Sequence, residues 1–382
     1  MSGRKGGKKR ARTFFDFTLL FIVIFLLCFG LVMLYSVSSY DANLNYGDSA
    51  YFLKKQLAST IIGVVVMIFV IFADYHFWAR FAVPAYIGSA VLIGLVLTPL
   101  GYEVNGARRW LNLGMSLQPA EVAKVGVIIF FASVVCRLGK NLMTSRSLFF
   151  IGVAAVIIAL MILIITENLS SAIIVIGIVF MMIFVASDNY KEFFIIGGVG
   201  IFVAAVFILL VQKGVLTSEQ SYRFARIEAW LNPEAYASDK GFQTLQALYA
   251  IGSGEFFGKG LGQSMQKLGY IPEAQNDMIF SIICEELGLF GAFAVMSLFL
   301  IMIWRFVVIA NNAEDEFGAL LVVGVMAHIA IQVILNIAVV TNTIPNTGIT
   351  LPFISYGGSA VVFLLIEIGL VLSVARSIRY KN

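Results

Sequence analysis

The chain has 382 residues, 60% of them hydrophobic and only 13% charged, with a mean hydropathy of +0.94. A soluble domain is about 45–50% apolar and about 25% charged, so an ordinary cytosolic enzyme, a disordered chain and a nucleic-acid module are excluded. The net charge of +4, from 26 Lys+Arg and 22 Asp+Glu, is too small to imply a polyanionic partner.

A basic cytoplasmic tail, 1–16, comes first, with Arg4, Lys5, Lys8, Lys9, Arg10 and Arg12. A spanning helix takes roughly 20 mostly apolar residues. Ten runs qualify: 17–36, 57–73, 81–99, 120–136, 148–165, 169–186, 193–211, 278–303, 318–340 and 359–375. They predict an all-α polytopic membrane domain over 17–375, closed by a cytoplasmic tail of 376–382. The first run lacks a small-residue cleavage site and reads as a retained span. Lys and Arg in short segments set the orientation. The six basic residues of the tail share their side with Arg80, Arg137, Lys140, Arg146, Lys191, Arg305, Arg376, Arg379 and Lys381, against Lys54, Lys55, Arg108 and Arg109 opposite. Both termini are therefore expected in the cytoplasm. One outer segment, about 212–277, is long enough to be functional. It holds SYRFARIEAWLNPEAY and FQTLQALYAIGSGEFFGKGLGQ, which read as short amphipathic helices followed by a Gly-rich turn. Cys28, Cys136 and Cys284 lie in apolar runs without metal-type spacing and read as buried apolar groups.

Ionisable groups within spans cost about 2.5–3.5 kcal/mol each on insertion scales, so each is a functional candidate. Four places qualify. In NGARRWLNLGMSLQPAEVAK, residues 105–124, Pro119 is placed to open the fourth span. Glu121 and Lys124 then share one helical face, as a self-neutralising pair or as part of a site. Arg108 and Arg109 precede them, and arginine forks suit phosphate oxygens bidentately. In IPEAQNDMIFSIICEELG, residues 271–288, Asp277 stands where the outer loop enters a span, as a general base or simply a helix cap. Glu285 and Glu286 follow about 12–14 Å deeper along a helix, where packing or ion-pair roles are expected. In TNTIPNTGITLPFISYGGSA, residues 341–360, prolines, glycines and hydroxyls predict broken backbone at membrane depth, with Ser355, Tyr356 and Ser359 as donors. Last, His328 and Glu367 both fall near mid-depth and are expected to hydrogen-bond across a helix interface.

Familiar chemistries are missing. There is no Walker loop, HExxH, GxSxG or Cys/His cluster, and two histidines leave little room for a Ser-His-Asp enzyme. The reaction energy is expected to arrive with the substrate, as in transfer from a lipid-linked pyrophosphate.

Three stretches, NGARRWLNLGMSLQPAEVAK, IGSGEFFGKGLGQSMQKLGYIPEAQNDMIFSIICEELG and TGITLPFISYGGSA, in this order and on this layout, resemble the SEDS proteins of shape, elongation, division and sporulation. These are polytopic peptidoglycan glycosyltransferases. QSMQKLGYIPEA resembles the cell-division branch, FtsW, more than the elongation branch, RodA, and sporulation paralogues of the FtsW type stay open as an alternative. The resemblance implies polymerisation of lipid II, a disaccharide-pentapeptide on undecaprenyl pyrophosphate, outside the bacterial cytoplasmic membrane and at the division septum. It implies pairing with a class B penicillin-binding protein, alongside other division proteins and membrane lipids. The family's aspartate falls on Asp277. Its Gln-Pro-Ser-Glu motif falls on Gln118, Pro119, Ala120 and Glu121, with its lysine at Lys124, its paired arginines at Arg108 and Arg109, and its basic loop residue at Lys267. Three positions depart from the pattern: Asn276 replaces the usual Thr, Glu167-Asn168-Leu169 the usual Pro-Asp-Leu, and Ile344-Pro345-Asn346-Thr347-Gly348 the usual Leu-Pro-Val-Thr-Gly.

The expected mechanism makes Asp277 the base for the acceptor sugar's 4-hydroxyl. Arg108, Arg109, Lys124 and Lys267 stabilise the departing pyrophosphate, Ser355 and Ser359 help bind the substrate, and Gln118 and Glu121 support. No residue cluster demands a metal, and a magnesium or manganese ion is an optional cofactor. The rivals are a lipid II flippase, which ten spans with buried charges also suit, and a non-catalytic scaffold for a transpeptidase.

Overall fold

The structure is a computed structural model, described for residues 15–378 apart from 105, 113–115, 188–189, 192, 196–197, 199–226, 228 and 238–240. In chain order its elements are α1 (Phe17–Tyr46), α2 (Tyr51–Phe72), α3 (Tyr75–Ala79), α4 (Ala82–Leu95), β1 (Gly101–Val104), β2 (Ala107–Asn112), β3 (Ser116–Leu117), α5 (Pro119–Leu138), α6 (Ser145–Ile165) and α7 (Leu169–Ala186). Then come α8 (Phe242–Ser253), α9 (Ile279–Asn311), α10 (Glu316–Val340) and α11 (Gly358–Ser377). Among the described residues eight helices are long and apolar enough to cross a membrane: α1, α2, α5, α6, α7, α9, α10 and α11. The chain is a multi-pass membrane protein.

The run expected at 81–99 forms a helix only to Leu95. Its 14 residues cover about 21 Å, short of a bilayer. The next bonds, from the N–H groups of Val96, Leu97, Thr98 and Gly101, each reach back three residues. That tighter winding rises ~2 Å per residue and carries the chain most of the remaining way. The expected span 193–211 lies almost wholly outside the described residues, as do 221–226 and 228 of the first amphipathic stretch, 221–236. The second stretch forms α8 and then the Gly-rich turn, as its pattern predicts.

Packing sorts the helix ends. Asp16 caps α1 through the Leu19 N–H at 2.9 Å and pairs at 2.7 Å with Arg305, late in α9. Asp315, which caps α10, accepts from Tyr75 Oη at 2.7 Å. The Arg376 guanidinium, near the end of α11, donates to the Phe72 carbonyl at 3.2 Å. The first and last described residues therefore share one end of the bundle. Small residues bring α2 and α11 together: a Cβ on Gly369 would stand 2.9 Å from Val70 Cβ and 3.0 Å from the Met67 carbonyl oxygen, so a larger residue would push the helices apart.

All three polar stretches gather at the opposite end. The first contains a three-stranded antiparallel sheet, β1-β2-β3, which an all-α expectation did not include. Val104 pairs with Ala107, leaving a two-residue connection in which Gly106 takes φ +75°. Asn105-Gly106 is the standard sequence signal for such a hairpin.

Candidate functional site

Asp277 sits at the centre of the polar end, 9% exposed, in the turn that leads into α9. The cap of α9 is Met278, whose side chain makes no capping bond, so Asp277 stands one position before the cap. Two other stretches close around it. Asn336 Nδ2, on α10, donates to the carbonyl oxygens of Asp277 and Ile349, both at 2.8 Å. The Tyr356 N–H donates to the Gln275 carbonyl at 2.9 Å. A Cβ on Gly348 would stand 4.0 Å from Asp277 Oδ2. The segment between α10 and α11 is non-helical, as its prolines predict, and it packs against protein at the floor of the site.

Pro119 occupies the first turn of α5 and Glu121 follows, where a helix N-terminus favours negative charge. Glu121 Oε1 pairs with Lys124 Nζ at 2.8 Å, and Lys124 is 1% exposed. The expected shared face is present, but the ammonium lies under the surface rather than on it. The Gln118 N–H donates to Ser359 Oγ at 3.3 Å, which ties the start of α5 to the start of α11. Ser355 Oγ accepts from the Leu351 N–H at 2.8 Å and closes the turn beside Asp277.

The arginines lie nearer solvent than Lys124 and Lys267, which are buried. Arg108 is exposed, and Arg109 is half-buried. Arg108 braces the hairpin by donating from Nη2 to the carbonyls of Thr98 and Gly101, at 2.7 and 2.8 Å. Arg109 donates from Nε to the Thr166 carbonyl at 3.1 Å and from Nη2 to that of Glu167 at 3.0 Å. Just beyond, Ser170 Oγ donates to the Thr347 carbonyl at 2.9 Å, one residue from Gly348. This run of contacts joins the hairpin to the wall of the Asp277 site through the departure at 167–169.

Lys267 and the two glutamates of α9 form a separate brace. Lys267 Nζ donates to Glu286 Oε1 at 2.8 Å and to Ser36 Oγ at 3.0 Å, while Lys259 Nζ meets Glu285 Oε1 at 2.7 Å. The ion-pair role expected for Glu285 and Glu286 is thus present, but their expected depth is corrected. At 33 residues, α9 measures about 50 Å, too long for a ~30 Å hydrocarbon core. Gly288, at φ +67° and ψ −168°, breaks it. Residues 279–286 are buried, whereas Leu289, Phe290 and Phe293 begin the exposed apolar face. The bilayer therefore starts near Gly288, and the Gly-rich turn folds down beside the first part of the helix. The N–H groups of Lys259 and Gly260 bond to the carbonyls of Glu285 and Glu286, both at 2.9 Å.

His328 and Glu367 do meet across the α10–α11 interface, Nδ1 to Oε2 at 2.7 Å. Sequence reasoning missed Asn336 and Gln332. Their signal was present, because 328, 332 and 336 recur every four residues and so line one face of a helix. Among the described residues no three His, Cys, Asp or Glu side chains come together as a metal site.

Comparison with known proteins agrees with this architecture. The family model for the FtsW/RodA/SpoVE cell cycle proteins matches residues 17–380. Stage V sporulation protein E of Bacillus subtilis (strain 168) is 40% identical over 367 residues, covering 96% of this chain and 98% of that one. A probable peptidoglycan glycosyltransferase FtsW of Trichlorobacter lovleyi is 37% identical over 367 residues, covering 96% and 94%. The chain is also similar to one from a solved peptidoglycan synthase complex that coordinates polymerization and crosslinking, at TM-score 0.78, 25% identity and 96% and 99% coverage. The crystal structure of Thermus thermophilus RodA superposes at TM-score 0.69 with 25% identity, covering 96% of this chain and 98% of that one. The spans, the broken segment beside Asp277 and these matches agree: the chain belongs to the FtsW/RodA/SpoVE family, the SEDS peptidoglycan glycosyltransferases.

Proposed function

We propose that this glycosyltransferase polymerises lipid II into β-1,4-linked glycan at the outer face of the bacterial cytoplasmic membrane, with Asp277 as its general base. The observation that carries this reading is the packing of Asn336 and the 341–360 stretch around Asp277, with the 105–124 stretch tied to that segment through Gln118 and Ser359, at the bundle end opposite the first and last described residues. Asp277 takes the proton of the acceptor's 4-hydroxyl as that oxygen attacks the anomeric carbon of the donor. The carbon–oxygen bond to undecaprenyl pyrophosphate breaks on the opposite face, so the centre inverts. Water then takes the proton from Asp277. Arg108 and Arg109, at the solvent edge, are placed to meet the charge growing on the leaving pyrophosphate, the kind of electrostatic help that usually dominates. Lys124 adds its field from beneath, held by Glu121, and Lys267 fixes the loop that shapes the site. Gln118 with Ser359, and Ser355 with Leu351, hold the rim on which the sugars rest.

The partner we propose is a class B penicillin-binding protein at the division septum. The similar chain in the synthase complex, where polymerization is coordinated with crosslinking, supports it. Other division proteins and the surrounding membrane lipids complete the proposed setting. The test gives purified protein, with and without that partner, lipid II in detergent. Wild-type protein makes glycan strands and Asp277→Ala makes none. Polymer from Asp277→Ala would remove the base, and no polymer from wild type with its partner would favour transport or scaffolding. Repeating the assay after EDTA, then with magnesium or manganese returned, decides whether a cation shares the pyrophosphate charge.

A further inference from the structure

Below Asp277 a chain of polar side chains runs into the apolar bundle. Glu121, Lys124, Gln332, His328 and Glu367 are each 6% exposed or less, and they come from α5, α10 and α11. Lys124 Nζ donates to Gln332 Oε1 at 3.2 Å as well as to Glu121. His328 Nε2 lies 2.9 Å from the same Gln332 oxygen, and its Nδ1 lies 2.7 Å from Glu367 Oε2. Gln332 Nε2 donates to the Thr350 carbonyl at 3.0 Å, in the broken segment beside the site.

The hydrogen bonds fix the protons. An ammonium has only donors and a carbonyl only accepts, so the Gln332 amide has one allowed orientation, with its oxygen toward Lys124. That oxygen can only accept from His328 Nε2, which therefore carries a proton. Nδ1 and a carboxylate oxygen at 2.7 Å need one more proton between them. With it, the five side chains carry no net charge, which makes their burial in the membrane tolerable. Glu121 Oε2 and Glu367 Oε1 find no hydrogen-bond partner among the described residues, so the chain is not fully satisfied even so. A partly satisfied buried network costs stability compared with an apolar core, and its geometry serves something other than packing.

We propose that Gln332, His328 and Glu367 are positioning residues, a buried relay that holds the Lys124 ammonium under the leaving pyrophosphate and locks Thr350 against it. The inference rests on the glycosyltransferase reading, in which Lys124 stabilises the departing charge. Its test is a double-mutant cycle on lipid II polymerisation, with thermal melts in detergent alongside. Gln332→Met keeps the volume but cannot accept from Lys124, and it is expected to lower the rate about tenfold, since small misplacements at an active site cost that much or more. In a Lys124→Met background the same change is expected to cost less than twofold, because the relay then has nothing to position. Glu367→Gln can still donate to His328 Nδ1 and is expected to keep the rate within threefold, whereas Glu367→Met falls with Gln332→Met. If Gln332→Met does not fold, the cycle between Glu367→Met and Lys124→Met reads the same coupling from the other end. Losses that simply multiply, or a wild-type rate in Lys124→Met or Gln332→Met, would overturn the relay. The base assignment fails separately, through polymer made by Asp277→Ala.

Discussion

Asn336 holds Asp277 by its backbone: one amide nitrogen donates to the Asp277 carbonyl and to that of Ile349, each at 2.8 Å. A side chain inside the bundle thus fixes two of the three stretches that meet at the site. Through the helix, Asn336 is also coupled to Gln332 one turn earlier, which fixes Lys124 and Thr350. Asp277 and the buried Lys124 are therefore both held from one face of α10.

Replacing Asn336 by Leu removes the donor that two backbone carbonyls share. Each such loss costs about 1–3 kcal/mol, partly offset because Asn336 Oδ1 itself finds no partner among the described residues. The expected result is a lower melting temperature in detergent and a polymerisation rate reduced at least tenfold. Asn336→Asp should be worse, because a carboxylate would face both carbonyl oxygens. Wild-type turnover in Asn336→Leu would show that the clamp does not set the base.

The Lys267–Glu286 brace predicts a compensated pair. Glu286 is 1% exposed, so Lys267→Met leaves a buried charge met, among the described residues, by Ser36 and the Ser264 N–H. Breaking a buried pair from one side typically costs about 3–5 kcal/mol, while replacing both partners is often neutral. Melting temperatures should therefore fall sharply in Lys267→Met and recover most of the way in Lys267→Met/Glu286→Gln. Polymerisation in the double variant separates the two roles. Activity that returns with stability makes Lys267 a brace, and activity that stays low gives it a share of the pyrophosphate.

How much of this was legible in sequence depends on the scale of the signal. The spans were readable because roughly 20 apolar residues are a long, redundant pattern. Asp277, Glu121 and Lys124 stood out because charge is scarce, and the Glu121–Lys124 contact followed from i,i+3 spacing. The depth of Glu285 and Glu286 is not legible from residue counting, because the exposed apolar face of α9 begins well past its first residue. Gly288 moves that start by about two and a half turns, and one glycine gives little warning. Asn336 and Gln332 give a weaker signal, because a neutral amide in a span costs less than a charge and is less diagnostic. The hairpin had its Asn105-Gly106 signal, but the apolar background led to reading every element as helix. Which carbonyls Arg108 and Arg109 would hold depends on contacts 10 and 57 residues away, which no local pattern contains.

At the other end of the bundle His76 bridges two loops, with Nδ1 2.8 Å from Asp74 Oδ1 and Nε2 2.6 Å from Asp315 Oδ2. Partial burial pulls the imidazole toward its neutral form, but the bonds to Asp74 and Asp315 outweigh this and raise its pKa. A histidine whose folded pKa lies above the unfolded value, about 6.5, stabilises fully below that value. The contribution is lost as pH rises through the folded pKa. The two aspartates are shifted down, so their contribution disappears only in acid, below about pH 3.9. Melting temperature in detergent should therefore decline from about pH 6.5 upward, and His76→Gln should flatten that decline. An unchanged slope in His76→Gln would place the pH dependence elsewhere.

Arg109 braces the 166–167 turn, and that hold allows bracing to be told apart from the role proposed for it at the pyrophosphate. Glu167 sits at φ +50°, a left-handed conformation that costs a non-glycine residue of order 1–3 kcal/mol. The Arg109 fork offsets that strain by taking two adjacent carbonyls, which positions Ser170 against Thr347. A lysine has a single ammonium on a flexible stem and does not reproduce a fork. Arg109→Lys is therefore expected to lower both melting temperature and polymerisation, the latter about tenfold. Adding Glu167→Gly removes the strain, since glycine adopts this conformation readily, and should restore the melting temperature. On the proposed pyrophosphate role the rate should stay low, because the planar donors of the guanidinium are gone. A rate that recovers together with the melt would make Arg109 a brace alone and leave Arg108 as the exposed cation for the leaving group.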